Sequence, residues 1–136
     1  MIGVLIITHG ALGEQLLATA AQIIGKPATR AAALAVTSVE DPGAILEQAR
    51  AQLAQLDDGS GVLVLTDMYG ATPGNIAARL LEDGRVEGVA GVSLPMLVRV
   101  LARRERTLPA AVQRALSGGA EGVLHMNPDR CRNAQR

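Results

Sequence analysis

Aliphatic runs and amphipathic stretches alternate along this chain. The run Gly3-Val4-Leu5-Ile6-Ile7-Thr8 is apolar at almost every position and stops at His9-Gly10. Such a run predicts a strand buried on both faces, as a parallel sheet requires. From Ala11 to Gly25 the residues Leu12, Leu16, Ala20, Ile23 and Ile24 fall near helical spacing, and Gly25 and Pro27 close the segment. Ala31 to Val36 predicts a second strand. Asp41-Pro42 reads as an N-cap and first-turn proline. The helix they start presents Ile45, Leu46, Ala49, Leu53 and Leu56 on one face and turns Glu47, Gln48, Arg50 and Gln52 outward.

Val62 to Asp67 predicts a third strand, this one ending in a carboxylate. Thr72-Pro73 repeats the cap signature, and Ile76, Ala77, Leu80 and Leu81 mark the helix behind it. Val86 to Val92 predicts a fourth strand, and Ser93 to Arg104 a helix started near Pro95. Thr107-Leu108-Pro109 begins a last helix that stops at Ser117-Gly118-Gly119, followed by a short final strand over Glu121 to Met126. Strands alternating with helices predict an α/β fold: a doubly wound, mainly parallel sheet of four strands in the order 2-1-3-4, with helices on both faces. No repeat or linker divides residues 1–126, which read as a single domain. The Arg-rich stretch 127–136 reads as a loose polar tail.

Composition narrows the function classes. Hydrophobic residues make up 49% of the 136, yet Tyr69 is the sole aromatic, so the core must be aliphatic. A formal net charge of zero argues against non-specific nucleic-acid binding. Cys131, the single cysteine, supplies neither a disulfide framework nor a cysteine-rich metal site, and no metal or cofactor is expected. No apolar run is of membrane-spanning length and the start lacks a signal peptide's basic flank, so the expectation is a cytoplasmic protein.

The order 2-1-3-4 makes the first and third strands neighbours that the chain leaves on opposite faces, the switch point where open α/β sheets bind ligands. His9 and Asp67 are therefore expected to meet there. A histidine ending a buried strand is either a satisfied structural residue or a nucleophile or base, and a strand-end aspartate often only caps a loop. Paired, the carboxylate would fix the imidazole tautomer and leave the other ring nitrogen with its lone pair. The loop Met68 to Asn75 runs into a helix start, whose unpaired amides receive anions. Pro73 leaves the Gly74 and Asn75 amides to point at an oxyanion, and the Thr72 hydroxyl either caps the helix or donates to a phosphate oxygen. Gly10 turns the chain sharply and keeps bulk from the imidazole, which adds it to the candidate phosphate-binding positions. This set points to phosphoryl transfer onto histidine.

Three segments carry a family resemblance: Ile7-Thr8-His9-Gly10, Thr66-Asp67-Met68-Tyr69-Gly70-Ala71-Thr72-Pro73 and Ala90-Gly91-Val92-Ser93-Leu94-Pro95-Met96-Leu97. Together, in order and with similar spacing to about Met126, they resemble the IIA domain of the mannose-type (mannose/fructose/sorbose) bacterial phosphotransferase system. The resemblance implies a phosphocarrier in which His9 accepts a phosphoryl group from the carrier HPr and passes it to a IIB component, with Asp67 orienting the ring. It also implies a homodimer that exchanges its C-terminal strand, here Glu121 to Met126. Transporters of this type often continue into a IIB domain, so the expected acceptor is a separate protein, and association with a membrane permease complex would be peripheral. Gly70-Ala71-Thr72-Pro73 departs from the more usual Gly-Gly-Ser-Pro but keeps a hydroxyl.

Met68 and Tyr69 are candidates for an apolar docking surface or for loop packing, and Pro95 and Met96 for its rim or for the core. His125 reads as structural or interfacial, and Arg99, Arg103, Arg104 and Arg106 as a patch for an acidic partner or, in preference, a solvated helix face. Three functions follow: a carrier, a regulatory module whose partners sense the charge on His9, or an unrelated enzyme. The last fits poorly, since histidine phosphatases place arginine where Thr8 stands and tetrapyrrole chelatases need a second mid-chain histidine.

Overall fold

The computed structural model describes residues 1–37 and 41–128, so Cys131 and most of the polar tail lie outside the described residues. Four strands, β1 (Gly3–His9), β2 (Ala31–Val36), β3 (Val62–Thr66) and β4 (Val86–Ala90), form one parallel sheet in the order β2-β1-β3-β4. The helices are α1 (Leu12–Ile24), α2 (Pro42–Leu56), α3 (Thr72–Ala78), α4 (Leu94–Ala102) and α5 (Leu108–Glu121). Ile2, Val4 and Ile6 pack with α1, α4 and α5 residues such as Ala20, Leu97, Leu101 and Ala115. Leu5 and Ile7 pack with Ile45, Ala49, Ile76 and Ala77 from α2 and α3. The alternation of side chains along a strand therefore divides one aliphatic run between two cores.

Leu5, Ile6, Ile7, Leu63 and Leu65 are fully buried. Each is worth roughly 1.5–3 kcal/mol on burial, so the two central strands are pinned by packing up to the residues that end them. Ile7 stands opposite Thr66 in the β1–β3 register. The chain then emerges from adjacent strands at His9 and Asp67, at the switch point.

Capping follows the sequence at three helices. Asp41 accepts from the Gly43 amide, Ser93 from Met96, and Thr107 from Ala110, each with proline early in the helix. It fails at α3, whose N-cap is Ala71 with no side-chain cap; Thr72 is the first helical residue. On α1, Leu12 and Ile23 face solvent while Gly13 and Ala20 are buried, so the inward stripe is rotated from the one expected. Gln52 is half-buried rather than outward, and Leu81 lies beyond α3 and is exposed.

The largest departure is at the carboxyl end. Helix α5 does not stop at Ser117-Gly118-Gly119 but runs to Glu121. Gly118 and Gly119 lie against α4, where added methyl groups would meet Arg99, the Met96 backbone and the Met96 side chain. Helix-breaking glycines are tolerated here because they allow two helices to approach closely. Residues 123–126 form no strand within the chain, and Val123, Leu124 and Met126 are exposed.

Candidate functional site

His9 and Asp67 meet across the tips of β1 and β3. The ring Nδ1 lies 2.8 Å from Asp67 Oδ2, and the His9 backbone amide donates to the same oxygen at 3.1 Å. The second carboxylate oxygen accepts from the Met68 amide at 3.0 Å and from the Thr66 hydroxyl at 3.5 Å. Burial opposes ionisation of Asp67, but the bonds from the His9 ring and backbone outweigh it and hold the carboxyl below its ordinary value. An ionised carboxylate only accepts, so the proton shared across the 2.8 Å contact belongs to Nδ1. In the neutral ring Nε2 then carries the lone pair.

Exposure separates the two partners. The Asp67 side chain is 12% exposed and that of His9 is 56% exposed. The acid is half-buried and held on both oxygens, and the imidazole is the group presented outward.

The flanking loops are set by glycine and by backbone bonds. Gly10 sits at φ +50°, a left-handed conformation that glycine adopts without strain, and its amide donates to the Val36 carbonyl at the end of β2. No heavy atom lies within 4 Å of the place a Cβ on Gly10 would take. Gly74 has a packing role: a Cβ there would meet the Met68 carbonyl oxygen at 2.7 Å, so glycine lets α3 start directly under the loop. The Asn75 amide, expected to face an oxyanion, instead donates to the Ala71 carbonyl at 2.8 Å as the first intrahelical bond. Thr72 is exposed and its hydroxyl does not cap α3.

Of the docking candidates, Met68 is 62% and Tyr69 90% exposed, both in the loop that follows Asp67. Pro95 is exposed at the start of α4. Met96 belongs to the core at 3% exposure and has no surface to offer. His125 lies in the exposed stretch beyond α5. Among the described residues no cluster of histidine, cysteine and carboxylate side chains is arranged to hold a metal, and no helix is long and apolar enough to cross a membrane.

Two residues with a part in this site escaped the reading of the sequence. Thr8 and Thr66 are the only buried polar side chains among the described residues, and each directly precedes a site residue. The visible signal is a hydroxyl closing each aliphatic run, Ile-Thr-His and Leu-Thr-Asp.

Comparisons with known proteins bear on the family and the fold. A family model, EIIA-man, described as the PTS system fructose IIA component, matches residues 3–116. The mannose-specific EIIAB component of Escherichia coli K12 is 38% identical over 125 residues, covering 90% of this chain and 38% of that relative, so the chain spans little more than a third of its length. The fructose-specific EIIA component of Bacillus subtilis is 34% identical over 106 residues, 77% of this chain and 72% of the relative. In fold the chain is similar to the mannose/sorbose specific IIA subunit of Enterococcus faecalis, with a TM-score of 0.83 at 21% identity over 93% of this chain and 95% of that one.

Proposed function

The chain belongs to the EIIA-man family of phosphotransferase-system IIA components, and from that premise we propose that it carries a phosphoryl group on Nε2 of His9. The donor is the phosphohistidine of HPr and the acceptor a IIB component. In the first transfer Nε2 attacks phosphorus; the N–P bond to the donor imidazole breaks as the bond to Nε2 forms. The proton on Nδ1 stays where Asp67 holds it, so neither direction of transfer needs a further base. A carboxylate against Nδ1–H also steadies the positive character that the ring gains when Nε2 is substituted.

One observation carries this reading. A half-buried, ionised carboxylate holds Nδ1 at 2.8 Å while the imidazole stays half-exposed. Buried structural histidines do not leave a ring nitrogen with its lone pair at the surface beside a fixed acid.

Around Nε2 the Gly10 and Gly74 backbone and the Thr72 side chain are the groups proposed to meet the phosphoryl oxygens. The exposed side chain of Asn75 takes the place of its engaged amide. Met68, Tyr69 and Pro95 are proposed to meet the partner proteins, since apolar and aromatic side chains suit interface cores. Residues 1–126 act as one cytoplasmic unit, in peripheral contact with a membrane permease complex. Val123, Leu124 and Met126, which find no place in their own chain, support a homodimer in which Glu121 to Met126 pairs with a second copy.

The test is phosphate incorporation from phosphoenolpyruvate in the presence of the two upstream phosphocarrier proteins. The intact protein is expected to take up one phosphoryl group per chain and His9→Ala none; incorporation into His9→Ala would overturn the assignment.

A further inference from the structure

We propose that Thr8 is a positioning residue for phosphoryl transfer: its hydroxyl clamps the start of α1 to the tip of β1 and so fixes the backbone from which His9 reaches out. This rests on the reading of His9 as the phosphoryl carrier. Helix α1 begins abnormally, because its N-cap, Ala11, has no side chain that can accept a hydrogen bond. The missing acceptor comes from the strand. Thr8 Oγ1 takes the Gly13 amide proton at 2.7 Å and lies 3.5 Å from the Gly10 carbonyl oxygen, to which it donates.

Thr8 is fully buried, facing α1, while its neighbour His9 turns to the other side of the sheet. The approach of helix to strand is close. A Cβ at Gly13 would meet Thr8 Oγ1 at 3.0 Å and Ile6 Cγ2 at 3.1 Å, so glycine at 13 and threonine at 8 act as a matched pair. Between them the chain contains Gly10 in its left-handed turn, a place with little stiffness of its own. The Thr8–Gly13 bond restores that stiffness on one side of His9, and the two bonds to Asp67 supply it on the other.

Replacing Thr8 by valine keeps shape and removes the acceptor, which leaves the buried Gly13 amide unpaired. A shift of the histidine by a fraction of an ångström then lowers the transfer rate without changing the surface that a partner meets. In rapid-quench phosphorylation by the donor phosphocarrier, Thr8→Val is expected to lower the limiting rate constant about tenfold, with the half-saturating donor concentration within about twofold of normal. Thr8→Ser, which keeps the hydroxyl, is expected to restore the rate. Gly13→Ala pushes against the same contact and is expected to show the same split; if Thr8→Val does not fold, Gly13→Ala decides in its place. A normal limiting rate in a folded variant whose melting temperature has fallen would overturn the proposal and make Thr8 purely structural. So would a serine variant as slow as the valine one. His9→Ala run alongside keeps the two claims apart: its phosphorylation would sink the carrier reading, whereas a fast Thr8→Val beside an inert His9→Ala sinks only the positioning role.

Discussion

The two ends of the sheet carry charged groups in opposite states. At the amino end, Arg104 reaches from beyond α4 and donates to the carbonyl oxygens of Thr29, Ile2 and Arg30 at 2.6, 2.7 and 3.1 Å. Asp57 accepts from the Gly59 and Gly61 amides and pairs with Arg85. Asp58 pairs with the terminal amine and accepts from the Ser60 amide. Each of these charges is answered within the chain, and the cluster ties the strand starts together. At the carboxyl end Asp67 is bound just as fully, but it holds an imidazole whose outer nitrogen faces solvent. A charge cluster that closes on itself is structural; one that leaves a ring nitrogen open is where the proposed chemistry belongs.

Substitutions at the two ends should therefore fail in different assays. At the carboxyl end, Asp67→Asn keeps size but its amide both donates and accepts, so the ring loses its fixed tautomer. The expected result is a fall of about 10- to 100-fold in phosphorylation rate, measured by rapid quench, with only a small change in melting temperature. At the amino end, Arg104→Ala removes the bonds to the Thr29, Ile2 and Arg30 carbonyls, of which Arg30 keeps the Val4 amide. A loss of about 2 kcal/mol in denaturant unfolding is expected, with the phosphorylation rate unchanged at temperatures where the variant is folded. Equal effects of the two substitutions on rate would dissolve the contrast.

How much of this could be seen in the residues depended on whether a segment was fixed by its own pattern. The four strands and the His9–Asp67 meeting were legible because apolar runs ending in single polar residues define both strand and strand end. The course of α5 was not, since Gly118 and Gly119 break helices by propensity and are kept only by the closeness of α4. Thr72 reads as a cap in sequence, yet the chain enters α3 one residue earlier. The Asn75 amide was misassigned for the same reason, a frame shift of one residue at a helix start. Met96 lies one turn inside α4, where the apolar face points to the core. Thr8 was overlooked because its partner, Gly13, becomes a neighbour only when the helix folds back.

The smallest expected effect is on acid stability. The bonds from His9 lower the Asp67 pKa against the opposing effect of burial. A group with a lowered folded value stabilises fully above its unfolded value, about 3.9, and loses that contribution as pH falls through the folded one. Unfolding free energies from pH 7 down to pH 3 should therefore decline more steeply in the intact protein than in Asp67→Asn. Parallel curves would mean that the carboxylate is not held by His9 in solution.

The central claim is tested most directly by nuclear magnetic resonance of the phosphorylated, nitrogen-15-labelled protein. Coupling between phosphorus and Nε2 of His9, with Nδ1 still protonated, is the expected result. A phosphoryl group on Nδ1 of His9, or on His125, would contradict it.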